Sequence, residues 1–588
     1  MPRSFDRRTF IGKGLKATAG AAALGGTGAV LDACGGSTSS GTGGSSTTTT
    51  GGSGPPVTYN VKKHRQTGWG SGTPVRGGTL TIGTEADESG FDPSKATFDS
   101  TGVMYARSVY DPLAITLADG TIEPYLAESI TPNTDYTVWE ITLRPNVLFH
   151  DGTPCDGAAL LFNFKTFLAS PLVDFTLTYV ESVAQTGPLS VTVKMKNPWV
   201  SFNAWLAGYI GGQVAYVFSP KGYLDKQKPL NLNPVGTGPF VFESWQPNIS
   251  FTATANPHYW RKDSAGRQLP YVDRVVFRPI PPVASRFSAL QTGEIDLMHT
   301  DDDPTILQIR SLGGGYEFVE DDVITIGQPD MNFLMLNTAA TPLNDIRIRQ
   351  AMAYAFDQEN YLQVICEHVA GPSDGLFPKG TEYYNPAGTG YPKYDPAKAA
   401  ALVKSWMHDN GGQAPVIPYG VTPTPETQRA AQTASSYYTA VGFKVEQSSV
   451  TQAQLIGDAV LGFYHVLGWR QFANVDPDLN YIFWAKTAAV SHAGGIVTNF
   501  ARFQDNAVQA ALDRARQTAD HATRVAAYQE VERRICQDLP YVFSDRDVWN
   551  VCANSKTQNW NHPTDPSGRV ALGMLSGIIW PTEIWKTA

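Results

Sequence analysis

Residues 35–54 consist of glycine, serine and threonine alone. Such a run has no apolar side chain to bury, so nothing offsets the entropy of ordering it. Any fold must therefore lie beyond it and beyond the polar lead-in that ends near Arg76. That leaves roughly 510 residues, enough for several hydrophobic cores. A Gly/Ser-rich coil of about 20 residues spans roughly 25 Å, the reach of a tether.

The segment before this run carries a second constraint. "MPRSFDRRTFIGKGLK" holds five basic residues and one acidic residue, and leads into the mildly apolar "ATAGAAALGGTGAVL". A positive stretch followed by a short apolar one describes an export signal, too short to span a bilayer stably. Arg7 and Arg8, followed by Thr9, Phe10, Ile11 and Lys13, resemble the twin-arginine signal. "LDAC" resembles the lipobox of bacterial lipoproteins, which makes Cys34 the expected lipid-bearing residue, although Asp32 departs from the small or apolar residue usual there. Residues 1–33 are thus expected to be a signal peptide and 34–75 a lipid-anchored tether, which places the chain outside the cytoplasm and on a membrane.

The composition narrows the partners. The whole chain has a formal charge of -9, and without residues 1–33 it is more acidic still, which argues against nucleic acid and anionic membrane surfaces. No later apolar run approaches the length of a transmembrane helix. Cys155, Cys366, Cys536 and Cys552 remain after Cys34; export allows one or two disulfides, and buried free thiols are the alternative. No G-x-S-x-G, H-E-x-x-H, C-x-x-C or Walker A pattern occurs, so neither an enzyme nor a cofactor is implied.

Strand and helix signals intermix along the body. Leu80 and Ile82 alternate in "GGTLTIG", and Trp139, Ile141 and Leu143 alternate in "VWEITLRP", which runs to a turn at Asp151-Gly152. The turn explains His150-Asp151 better than acid–base chemistry does. Helical spacing follows Asp156, and again follows Asn344-Asp345, where Arg347 and Arg349 would reach carboxylates. No 20–50-residue repeat is present, so the body is mixed α/β with several lobes rather than a solenoid.

Six stretches in order carry a resemblance: "VWEITLRPNVLFHDGTPCDGAALLFNF", "PVGTGPFVFESWQPNISFTATANPHYW", "SALQTGEIDLM", "MNFLMLNTAATPLNDIRIRQAMAYAFDQENYLQVI", "YDPAKAAALV" and "GWRQFANVDPD". Together they resemble the family 5 solute-binding proteins of peptide and nickel ABC transporters. The resemblance implies an α/β, two-lobed periplasmic-binding-protein-like fold of the class II type, with an extra small domain and a hinge-bordered cleft. Carried over, residues 76–114, 219–330 and 546–588 form lobe I, 115–218 the extra domain and 331–545 lobe II. It also implies a monomer that presents a peptide or small-molecule ligand to an ABC permease and its ATPase subunits.

The resemblance also suggests where a ligand would sit. Thr97, Phe98 and Asp99 match the loop that pairs with ligand backbone, with Asp87 and Glu88 just before it. Trp469 matches the tryptophan of a "GW.ADY.DP" segment, but Phe472 stands where peptide binders place the aspartate that holds the ligand amine. Asp476 either supplies that charge or forms a turn with Pro477. Arg470 either receives a ligand anion or pairs with a protein carboxylate. For the anchor, palmitate labelling of the wild type that is absent in Cys34→Ala is expected; an unlabelled wild type would mean that the chain is released.

Overall fold

Alternation places the strands. In Thr79–Thr84, Leu80 and Ile82 are fully buried, and in Val138–Leu143 the side chains of Trp139, Ile141 and Leu143 face the core while Glu140 faces out. The computed structural model describes residues 70, 72–320, 329–490 and 496–587. Arg7, Arg8, Cys34 and the Gly/Ser/Thr run lie outside the described residues.

Three sheets carry the architecture. A seven-stranded sheet runs, edge to edge, Tyr316–Glu320, Asn550–Asn554, Leu297–Thr300, Thr79–Thr84, Arg274–Pro279, Ser250–Ala255 and Phe240–Gln246. Its central strand is parallel to both neighbours. A five-stranded sheet runs Lys444–Ser449, Val416–Val421, Val466–Gln471, Met331–Leu336 and Tyr541–Asp545. A four-stranded antiparallel sheet runs Ala127–Pro132, Val138–Leu143, Ser190–Met195 and Val180–Gln185. The chain passes between the two larger sheets twice, once between residues 320 and 331 and once between 545 and 550.

Carboxylates begin the helices. Asp156 accepts from Ala159 N at 2.9 Å to start Gly157–Leu168, and Asp345 accepts from Arg347 N at 2.9 Å to start Ile346–Ala355. Arg347 reaches Asp345 and Asp409, but Arg349 does not reach a carboxylate. It donates instead to the carbonyls of Asp538 and Leu343, each at 2.7 Å, because its side chain points into the core beneath the helix.

His150 is tied down rather than reactive. Its Nε2 lies 3.0 Å from the Gly238 carbonyl, and burial pushes the imidazole down to about 4. A side chain on Gly236 or Gly238 would collide with the Val109 backbone, at 2.2 Å and 2.5 Å, so close approach is what requires these glycines. Cys155, Cys366, Cys536 and Cys552 are all buried free thiols. No described helix is long and apolar enough to cross a membrane.

Asp478 fastens the four-stranded region to the segment between strands Val466–Gln471 and Tyr541–Asp545 of the five-stranded sheet. Its carboxylate accepts from Trp199 Nε1, Trp205 Nε1, Ser201 Oγ and Arg516 Nε, all at 2.8 Å. Burial works against its charge, but Arg516 and the other donors outweigh that and hold the carboxyl below its usual range. Arg516 also lies over the Tyr481 ring at 3.6 Å. The pair is essentially solvent-free, at 0% and 1% exposure. Arg516→Met strands this anion and should cost about 3–5 kcal/mol of unfolding free energy in urea titrations. Adding Asp478→Asn should recover part of the loss.

Candidate functional site

Parallel strands end on the same edge of a sheet, and loops at such carboxyl ends are where open α/β sheets bind ligands. Here Thr79–Thr84 runs into Glu85 and Leu297–Thr300 runs into Asp301, which sets two carboxylates side by side. Arg470, on Val466–Gln471 of the five-stranded sheet, reaches across to both. Its Nη2 lies 3.2 Å from Glu85 Oε1, and its Nη1 donates to Asp301. A second bridge joins Gln452 Nε2 to Asp99 Oδ2 at 2.6 Å.

Aromatic faces enclose the guanidinium. Arg470 sits over Trp549 at 4.5 Å and over Phe472 at 5.3 Å, and Trp549 stacks on the His299 ring. More carboxylates surround it than one cation can neutralise. Burial pushes Glu85 up to about 7, and Asp301 and Asp99 add to the rise that Arg470 opposes. Burial likewise pushes Asp330 up to about 7 and Asp545 to about 6, while Asp547 lies well above its usual range. Burial also works to lower Arg470, but Asp301, Glu85, Asp547 and Asp330 outweigh it and keep the guanidinium charged. Asp330 is held by Ser576 Oγ at 2.9 Å and by Ala473 N at 2.9 Å.

The residues singled out from the sequence fall into three places. Arg470, Phe472 and Asp99 belong to this junction. Trp469 is half-buried beside it, edge-on to Phe500 at 5.3 Å, and Phe500 in turn meets Phe483 at 5.5 Å. Thr97 is half-buried, whereas Phe98 is core, packed edge-on against Tyr216. Asp99 caps Ser100–Val109, accepting from Thr101 N at 2.9 Å. Buried Glu88 lies beside it, its carboxyl pushed well up first by burial and then by Asp99.

Asp87 serves the hairpin loop instead, accepting from Trp245 Nε1 at 3.0 Å and Asn248 N at 2.6 Å. Asp476 stands apart from Arg470. It pairs with Arg524 at 2.6 Å, caps Pro477–Asn480, and lines a separate cavity of about 280 Å³ with Tyr136, Ser201 and Asn203. Sequence reasoning missed Glu85, Asp301, Trp549, Asp330 and Asp547. The first two had a signal, since each follows directly on a strand of one parallel set.

The family model described as "Bacterial extracellular solute-binding proteins, family 5 Middle" matches residues 121–492, more than half of the chain. The chain belongs to this family. It is 27% identical over 495 residues to di/tripeptide-binding protein 2 of Pseudomonas aeruginosa, covering 79% of this chain and 88% of that one. Among solved structures, it resembles the periplasmic binding protein DppA of Helicobacter pylori in complex with the peptide STSA. There the TM-score is 0.73 at 24% identity, covering 85% of this chain and 98% of that one. It is also similar to the binding protein AgaA of A. tumefaciens R10 in complex with agropinic acid, with a TM-score of 0.74 at 22% identity over 87% of this chain and 99% of that one. The architecture is accordingly the two-lobed α/β fold of family 5.

The raised Glu85 carboxyl gives the junction a pH dependence. The unfolded chain releases this proton near 4.5, while the folded chain holds it up to about 7. Its contribution to stability is complete below that window and is lost as pH rises through 7. Glu85→Gln should remove up to about 1.4 kcal/mol per pH unit of that fall between pH 5 and 7. Urea titrations at several pH values measure it, and identical slopes in the two proteins would show that Glu85 is not protonated there.

Proposed function

We propose that the chain is the exported receptor of an ABC importer, and that it takes an oligopeptide or another elongated small solute between its lobes. The observation that carries this reading is the Arg470 bridge from one sheet to the strand ends of the other, with the half-buried Trp469 and Phe500 rings beside it. In this reading 76–114, 219–330 and 546–588 form lobe I, 115–218 the extra domain and 331–545 lobe II. The two crossings act as the hinge. Asp330 at one crossing and Asp545 and Asp547 at the other are electrostatically coupled to Arg470 or Asp301, so bending and closure act on the same charges.

Residues 1–33 direct export, Cys34 carries lipid, and the Gly/Ser/Thr run lets a monomer reach the permease and its ATPase subunits. The chain binds and releases its solute and does not transform it. Thr97, Asp99, Trp469, Arg470 and Phe472 belong to the ligand region; Phe98 and Asp476 support it from the core and from the neighbouring cavity.

One observation favours a non-peptide solute on the same fold. Phe472 replaces the amine-binding aspartate and lies under Arg470, and Asp476 is already committed to Arg524. Mass spectrometry of the solute that copurifies with native protein decides between the two. A mixture of free-amine peptides is expected for a general peptide receptor, and a single non-peptide compound would overturn that class.

A further inference from the structure

Seven arginines of the described chain are at least nine-tenths buried, and six of them donate to carboxylates or carbonyls. Arg516 and Arg524 pair with Asp478 and Asp476, and Arg261 pairs with Glu583. Arg286 donates to the carbonyls of His299 and Ile280, Arg349 to Asp538 and Leu343, and Arg546 to Leu376 and Gly375. Arg107 is the exception. It is 2% exposed, makes no ion pair among the described residues, and its Nε and Nη2 have no hydrogen-bond partner.

The surroundings of Arg107 hold it flat. Its guanidinium lies over the Trp580 ring at 4.0 Å and the Tyr209 ring at 5.3 Å. The Tyr216 hydroxyl, which donates to the Gly208 carbonyl at 2.6 Å, is in side-chain hydrogen-bond contact with Arg107, so only the Nε and Nη2 edge of the guanidinium stays without a partner. Nε and Nη2 form one edge of the guanidinium, with parallel N–H bonds, and that edge is the one a carboxylate takes with both oxygens. A buried cation whose bidentate edge is empty is costly unless an anion comes to it.

The position suits a ligand. Arg107 lies in the last turn of Ser100–Val109, the helix whose cap Asp99 accepts from Gln452 at the start of helix Gln452–Leu461. The loop that carries Tyr209 also touches the far side, since a side chain on Gly211 would meet Ile482 at 3.4 Å and the Leu479 carbonyl at 3.7 Å.

We propose that Arg107 receives a carboxylate of the bound solute on its Nε/Nη2 edge, flat between Trp580 and Tyr209. This rests on the receptor reading above, and it narrows the solute class to acids.

The test titrates the full mature chain, followed by tryptophan fluorescence, with two matched pairs of probes. One pair is a tripeptide library with free C-terminal carboxylates and the same library as C-terminal amides; the other is gluconate and glucose. The wild type should bind the acid of at least one pair about tenfold or more tighter than its neutral partner, and R107K and R107Q should abolish that preference. Equal affinity for acid and neutral members, or a preference that survives both substitutions, overturns the Arg107 assignment alone. Binding of no probe counts against the receptor reading as well. R107M separates ligand recognition from structure: it should raise the unliganded thermal midpoint by removing an unpaired buried charge. A lowered midpoint would make Arg107 a structural residue and overturn the proposal.

Discussion

A guanidinium taken out of water must be given an anion or a set of carbonyls, and this fold meets that requirement repeatedly. The solutions differ in what they join. Arg286 donates to carbonyls beside its own helix, at Ile280 and Pro281, and to His299 in the adjoining strand. Arg516 joins separate regions, because its partner Asp478 also accepts from Trp199, Ser201 and Trp205. The residues that follow the four-stranded sheet and the segment between strands Val466–Gln471 and Tyr541–Asp545 are held together by one carboxylate that accepts from four donors.

Arg470 meets the same requirement differently. It takes both of its ion-pair partners from strand ends of the opposite sheet, so a large part of what offsets its desolvation is made across the two sheets. The cluster also holds more carboxylates than cations, and burial answers that excess by raising Glu85, Asp330 and Asp547 rather than by leaving several charges unpaired. A contact of this kind is stable when formed but sensitive to its proton content. The Arg516 pair lacks that sensitivity, since Asp478 is held ionised.

Much of the fold was legible because its signals are local. Alternation at Leu80 and Ile82 and at Trp139, Ile141 and Leu143, and the caps at Asp156 and Asp345, are set within a few residues. The site was legible only in part, because its geometry is not local. Arg470 stands 385 residues from Glu85 and 169 from Asp301, and no periodicity links such positions. Asp476 and Asp478 look alike as sequence, yet one caps a turn at the rim of a cavity and the other is a buried hub. That difference comes from Trp199 and Trp205, which arrive from far away in the chain. Gly236 and Gly238 are close-approach glycines, and that role depends on the Val109 backbone beside them, which lies far away in the chain.

The exchange at Phe472 acquires its meaning from this arrangement. In peptide binders the family resemblance places an anion at that position, which the proposed reading puts on a wall of the cleft. On the receptor reading proposed above, the wall that carries Arg470 over Phe472 is aromatic and cationic, and it faces the carboxyls of Glu85 and Asp301. Walls of opposite charge satisfy one another when they close without a solute. On that reading, a solute that separates them must offer an anion to Arg470 and a cation to Glu85 and Asp301, since either group left alone in a buried site is strongly unfavourable. On the same reading, a solute without that pair of charges must leave the bridge standing and lie beside it, along the half-buried rings of Trp469 and Phe500, where aromatic surface rather than charge does the holding.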